Sequence, residues 1–337
     1  MNSICDNCFS DKEMKGFIGS QGYDGRCDFC NLDTFKIISI NEVLDFFKEL
    51  LSNFQLDSNG QSLVSLIQGD WGLFSNNSVG SRFLNIVINS SNFDFHNAEV
   101  FVNYSQDILD NVNYWFKLKE KIKWERRYLI DVNALTELGW DGFFGSQVIM
   151  NKNDILYRAR LHHDSTNSCY TQDAMFCPPK HLSTAGRANP MGIPYLYLSD
   201  NKETIIYEVR SAYLDEVSVG EFRISNNISK EVKISDFTEV PTIYHPSEVN
   251  KRIKSRLLKR LISIDLSRPM RRYDSELDYI PTQFICEFIK VYTGVDGLKF
   301  TSSLHNLGNN YVIFDQNLMD CISVSKVKIS KVDISFN

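Results

Sequence analysis

Four of the chain's eight cysteines crowd into its first thirty residues, as CDNC (Cys5 to Cys8) and CDFC (Cys27 to Cys30) with eighteen residues between the pairs. Two such knuckles at this spacing can wrap one tetrahedral metal, and Asp6, Asn7 and Asp28 suit the tight turns that this requires. The expectation is a structural zinc held by Cys5, Cys8, Cys27 and Cys30, with no ligand position left open for chemistry. A redox pair would leave the second, matching pair unexplained. A disulfide framework does not suit the cytoplasmic compartment expected for the chain. Cys169, Cys177, Cys286 and Cys321 are scattered and read as ordinary thiols.

At 337 residues the chain is long enough for two or three domains with ample core. A net charge of −6 gives no general attraction to nucleic acid or to an anionic membrane, so neither DNA nor membrane is an expected partner. No charged-then-apolar leader opens the sequence, and no apolar run is long enough to span a bilayer. The cytoplasm is therefore the expected location.

Beyond the cysteines, residues 35–150 take on helical periodicity. In NEVLDFFKELLSNF, Val43, Leu44, Phe47, Leu50, Leu51 and Phe54 recur at helical spacing. A second helical stretch runs through SQDILDNVNYWFKLKEKIKWERRYLIDV, with Trp115 and Trp124 as packing residues. Its basic run, Lys117 to Arg127, is interspersed with Glu120 and Glu125 and reads as a solvated face. NKND at 151–154 marks the expected boundary. After it, ILYRARL alternates, with Ile155, Tyr157, Ala159 and Leu161 on one face and Arg158 and Arg160 on the other. PYLYLS is a second strand, followed by a helix in NKETIIYEVRSAYL capped by Asp200 or Asn201. Strands in VSVGEFRIS and KEVKIS, helices from PSEVNKRI and PTQFICEF, and strands in GLKFTSS, NNYVIFD and SVSKVKISKVDISF complete an α+β half built around a sheet.

The polar residues at element ends in this half are few: Arg158, the Gly186–Arg187 turn, Tyr197, Glu208 and Ser302–Ser303. Each has a bland reading. Arg158 and Glu208 would serve equally as a buried ion pair, Tyr195 and Tyr197 as core with satisfied hydroxyls, and the two serines as a turn. Spacing alone does not choose between these readings and a site.

The stretches LYRAR (156–160), PP (178–179), GRANPMGIPYLYLS (186–199), TIIYEVR (204–210), GLKFTSS (297–303) and NNYVIFD resemble, in that order, the RES domains, a family named for an arginine, a glutamate and a serine. The front half resembles a companion architecture, a four-cysteine zinc knuckle followed by a HEPN-like helical region. The resemblance implies three parts: a knuckle at 1–34, a helical domain at 35–150, and a RES domain at 151–337 related to the ADP-ribosyltransferase fold. It further implies an activity on NAD+ as substrate, either degradation or transfer of ADP-ribose to an acceptor such as a protein. As in toxin–antitoxin pairs, it implies a possible antitoxin or regulatory partner. Carried over by motif, the family arginine falls on Arg158, the turn arginine on Arg187, the tyrosine on Tyr197, the glutamate on Glu208 and the serine on Ser302 or Ser303. The chain departs from the pattern at Ala188, where many relatives carry a bulky aromatic.

Those residue types suit that chemistry. Cleaving the nicotinamide–ribose bond creates an oxocarbenium-like centre, which a carboxylate such as Glu208 offsets. Arg158 and Arg187 supply forked donors for the diphosphate or ribose, Tyr197 a stacking face, and Ser302 or Ser303 a hydroxyl for the nicotinamide-ribose end. A non-catalytic nucleotide- or protein-binding module is the alternative expectation. Arg158-x4-His163 also matches the spacing of a HEPN-type ribonuclease motif, but it lies in strand-like sequence beyond the helical region and reads as a chance match.

Overall fold

The computed structural model describes residues 2–30, 33–91, 93–145, 147–163, 168–245, 247–269, 276–305 and 307–331. The end of the last expected strand, residues 332–336, lies outside them. The chain forms two compact units, one of Met1–Trp115 with Val240–Leu257, the other of Phe116–Glu239 with Leu258–Asn337. This division does not follow the sequence boundary at 150/151. Residues 116–150 cluster with the C-terminal unit, and a segment from the second half clusters with the first.

In the first unit, β1 (Ser3–Cys5), β3 (Asp33–Ser39) and β2 (Tyr23–Arg26) form an antiparallel sheet in the order β1-β3-β2. Helix α1 (Lys12–Gln21) lies between the cysteine pairs in sequence, and α2 (Leu44–Leu51), α3 (Leu63–Trp71) and α4 (Asn77–Asn89) follow. The strand pair β4 (Phe54–Ser62) and β5 (Phe101–Tyr104) precedes α5 (Gln106–Trp124). The stretch read as helical therefore also carries strands. The apolar stripe of α2 buries Phe47, Leu50 and Leu51, and Phe47 meets Phe9, Phe74 and Phe83 with ring centroids 4.5–6.3 Å apart. Asp11 explains why a distant segment joins this unit. Its Oδ1 caps α1 by accepting from the Glu13 and Met14 amides, while its Oδ2 accepts from the Ile243 amide at 2.8 Å.

The second unit is built on a mixed eight-stranded sheet. Its strands are β6 (Gln147–Ile149), β7 (Leu156–Leu161), β8 (Leu196–Ser199), β9 (Glu216–Ile224), β10 (Lys233–Asp236), β11 (Gly297–Thr301), β12 (Asn309–Ile313) and β13 (Met319–Lys328). They run in the order β13-β9-β7-β8-β12-β11-β10-β6, with only β10–β11 parallel among the pairings described. Short helices α6 (Val132–Glu137) and α7 (Trp140–Phe143) precede the sheet, and α8 (Lys202–Glu208), α9 (Val249–Ser267) and α10 (Ile280–Thr293) are interleaved with its strands. Asn201, not Asp200, caps α8, accepting from the Glu203 and Thr204 amides. Helix α8 packs Ile205 against Ala159, Val217 and Val219, while a larger cluster of Leu156, Leu196, Leu198 and Phe222 forms the other core.

On α9, burial pushes the Lys259 ammonium down from its ordinary value near 10.5 to about 8, with Nζ 5.8 Å from the Phe237 ring centroid. Below pH 8 the folded chain carries this buried charge at a cost. Between pH 8 and 10.5 the unfolded chain still holds a proton that the folded one has released, so stability rises with pH. The shift corresponds to at most about 3 kcal/mol. Lys259→Met is expected to raise the urea-unfolding free energy of this unit at pH 7 by about 1–3 kcal/mol, and the gain over wild type should shrink towards pH 10. An unchanged gain at high pH would show that the lysine is not buried at a cost.

Candidate active site and thiol cluster

Three neighbouring strands set the floor of a cavity in the second unit. Asn310 on β12 stands opposite Ser199 on β8 and Phe300 on β11, and Val312 stands opposite Tyr197, so strand alternation brings Tyr197, Phe300 and Asn310 to one face. The cavity measures about 540 Å³ and is lined by these three residues, by Ile205 and Glu208 of α8, and by Arg187, Arg210, Arg268 and Tyr279. Its size suits a nucleotide-like small molecule.

Glu208 ends α8 inside this cavity and is held by residues about a hundred positions away. Its Oε1 accepts from Ser302 Oγ and from Asn310 Nδ2, both at 2.7 Å. Ser302 is almost fully buried, and its oxygen in turn accepts from the Leu304 and His305 amides. With its lone pairs taken, the hydroxyl hydrogen points to Glu208, and the carboxylate is locked in orientation. Oε2 makes no hydrogen bond among the described residues. Two residues on, Arg210 adopts a left-handed backbone (φ 52°), turning the chain sharply after the carboxylate.

Arg187 is held from two sides. Its Nη1 donates to the Asp265 carbonyl at 3.0 Å, and its guanidinium lies 5.3 Å from the Tyr279 ring centroid. Burial, more than any neighbour, lowers its pKa, and nearby Arg268 adds to this. The turn before it is locked. Tyr197 is half-buried, its hydroxyl donating to Asn189 Oδ1 at 2.8 Å and accepting from the Ala188 amide at 3.0 Å. Gln283 of α10 donates to the carbonyls of Gly186 and Asn189. A Cβ at Gly186 would sit 2.6 Å from Asn189 Oδ1 and 2.8 Å from the Tyr197 oxygen, so only glycine fits.

The structure thus gathers Arg187, Tyr197, Glu208 and Ser302, but with roles partly different from those expected. The Tyr197 hydroxyl is committed to the turn, leaving its ring as the part that faces the cavity. Ser303 does not meet Glu208; its hydroxyl bonds the Ser267 carbonyl. Ala188 is buried, its amide bonded to Tyr197. Arg158 does not line the cavity and is not paired with Glu208. It lies on β7 beside the Cys177 thiol, Arg160 and Tyr197; burial lowers its pKa, and its buried Nη1 has no partner among the described residues. His163 is exposed just beyond the strand, not on a helix, and His162 bonds Ser218 Oγ at 2.8 Å. Tyr195 is core, tilted 4.8 Å from Phe314. Asn310, Arg268 and Tyr279 were missed by motif reading. An asparagine inside a strand, where that residue type is depleted, as in NNYVIFD, is the one local signal that marks the first of them.

In the first unit the four thiols of Cys5, Cys8, Cys27 and Cys30 converge, all within 4.8 Å of one another. The Cys5–Cys8, Cys5–Cys30 and Cys8–Cys27 sulfurs are 3.7, 3.5 and 3.6 Å apart. These separations are far too long for disulfides and match the roughly 3.8 Å between sulfurs that lie about 2.3 Å from a tetrahedral zinc. The donor set fits such a metal.

A locked carboxylate and three arginines surround a nucleotide-sized cavity over interior strands of the mixed sheet, an arrangement that suits an anionic small molecule. The RES-domain family model matches residues 155–337, more than half of the chain, and the chain belongs to the RES family. Among solved structures, a chain of the M. tuberculosis MbcT–MbcA toxin–antitoxin complex aligns at 9% identity and a TM-score of 0.31, over 56% of this chain and 92% of that one. None of the curated proteins matches. No helix among the described residues is long and apolar enough to cross a membrane.

Proposed function

We propose that the protein is a cytoplasmic, toxin-like enzyme that consumes NAD+ by cleaving its nicotinamide–ribose bond. The observation that carries this reading is the Glu208 carboxylate, oriented by Ser302 and Asn310 in a cavity also lined by Arg187, Arg210 and Arg268. In the reaction the glycosidic C–N bond breaks and its electron pair leaves with the nicotinamide nitrogen. The ribose carbon then gains an oxygen from water, phosphate or a macromolecular acceptor, which gives up its proton. Oε2 of Glu208 is the atom open to the ribose, where a fixed negative charge offsets the developing positive one. Arg187 grips the diphosphate and the Tyr197 ring offers a stacking face, while Arg158, which does not line the cavity, makes no ligand contact in this reading. All residues lining the cavity fall between Gly186 and Asn310, within the expected RES domain of 151–337.

The cysteine cluster is proposed to hold one structural zinc, with the HEPN-like region and any antitoxin serving control and not chemistry. Purified protein incubated with NAD+ is expected to release nicotinamide stoichiometrically with NAD+ loss. Mass spectrometry of the products, with and without phosphate and cell lysate, then identifies the acceptor. Binding of NAD+ without nicotinamide release would instead make the chain a nucleotide-binding module.

A further inference from the structure

The RES match begins at residue 155, yet two lysines well before it pair with acidic residues beside Arg187 of the cavity wall. Residues 116–124 of α5 belong to the C-terminal unit. From this half-helix Lys119 Nζ pairs with Asp265 Oδ2 at 2.8 Å, and one turn on Lys123 Nζ pairs with Asp278 Oδ1 at 2.5 Å. Both lysines and Asp265 are largely withdrawn from solvent, with side-chain exposures of 17–20%. These are not loose surface pairs, whose effect would be negligible. Their partners are the two points that hold Arg187. Asp265 supplies the carbonyl that accepts from Arg187 Nη1, and Asp278 directly precedes Tyr279, over whose ring the guanidinium lies. Thr282, at the start of α10, donates to the Arg187 carbonyl at 2.6 Å and completes the bracket. Lys119, Lys123, Arg187, Asp265 and Asp278 also line one small cavity of about 40 Å³, so the chain of contacts is continuous.

We infer that Lys119 and Lys123 are positioning residues for Arg187, so that α5, outside the family domain, sets the geometry of the ligand-binding wall. Each lysine fixes one acidic residue, the acidic residues fix the Asp265 carbonyl and the Tyr279 ring, and these fix the guanidinium. Without the ion pairs, α9's end and the 276–279 turn lose their anchor on α5, and Arg187 swings free of its two supports. The functional part of the inference rests on the NAD+ reading; the structural part does not.

The test separates the two. Full-length wild type, K119M/K123M and K119R/K123R are treated with phenylglyoxal, and modification of Arg187 is followed by peptide mass spectrometry, with Arg82, bonded to the Asp28 and Phe29 carbonyls, as internal reference. Arg187 is expected to react at least threefold faster in K119M/K123M, with Arg82 unchanged, and K119R/K123R to return it to the wild-type rate. With NAD+, K119M/K123M is expected to raise KM at least threefold while kcat changes less than twofold. Should the double variant not fold, Asp278→Asn removes one pair and carries the same readouts. An unchanged Arg187 rate in a folded variant overturns the inference. If wild type neither binds nor cleaves NAD+, the proposed function fails, and the Arg187 rate still decides the positioning role.

Discussion

Glu208→Gln is expected to lower NAD+ turnover by about 10²–10³, equivalent to about 3–4 kcal/mol of lost transition-state stabilisation. The substitution is nearly isosteric. The amide oxygen of glutamine can accept from Ser302 Oγ and Asn310 Nδ2 as Oε1 does now, so the side chain keeps its orientation while its charge disappears. KM should change by less than threefold, because ground-state NAD+ is held through its phosphates and rings. Arg187→Ala should show the opposite balance, with KM raised at least as much as kcat is lowered. The measurement is nicotinamide release under saturating and limiting NAD+. A Glu208→Gln protein that turns NAD+ over at near wild-type rate would leave the family membership intact and remove the proposed mechanism.

The second large effect is expected at the thiol cluster. Protein purified without chelator should contain about one zinc per chain, and Cys5→Ser combined with Cys8→Ser should abolish it. Binding by such four-thiolate sites is worth on the order of 10 kcal/mol in small zinc domains, more than a unit of this size has to spare. The loss should spread beyond the knuckle. Phe9, beside Cys8, stacks on Phe74 at 5.5 Å, and Phe29, between Cys27 and Cys30, lies 5.7 Å from Phe83 and under Arg82 at 5.5 Å. The variant is therefore expected to lose cooperative unfolding of the N-terminal unit, measured by urea titration of its tryptophan fluorescence. A zinc-free protein that unfolds like wild type would end the assignment.

Local chemistry was legible in the sequence wherever one element contains its own cause. The Cys-x-x-Cys spacing is a property of a few residues, and it brought four thiols together as expected. The apolar periodicity that begins at Val43 became α2 only as far as Leu51, with Phe54 opening β4 instead, and the alternation of residues 156–161 became β7. The order of motifs from LYRAR to NNYVIFD was enough to reach the RES family and to single out Glu208 and Arg187. What the tertiary structure decided is every pairing between distant positions. Glu208 is oriented by residues 94 and 102 positions away, and Asp11 draws in a segment 232 positions away. Lys119 and Lys123 meet partners about 150 positions on. No periodicity encodes such pairs, because a hydrogen bond or ion pair depends on where the sheet register and helix packing deliver two side chains. The same packing left Arg158 beside Cys177 instead of Glu208, and it turned the Tyr197 hydroxyl to the Gly186 turn, where only glycine leaves it room.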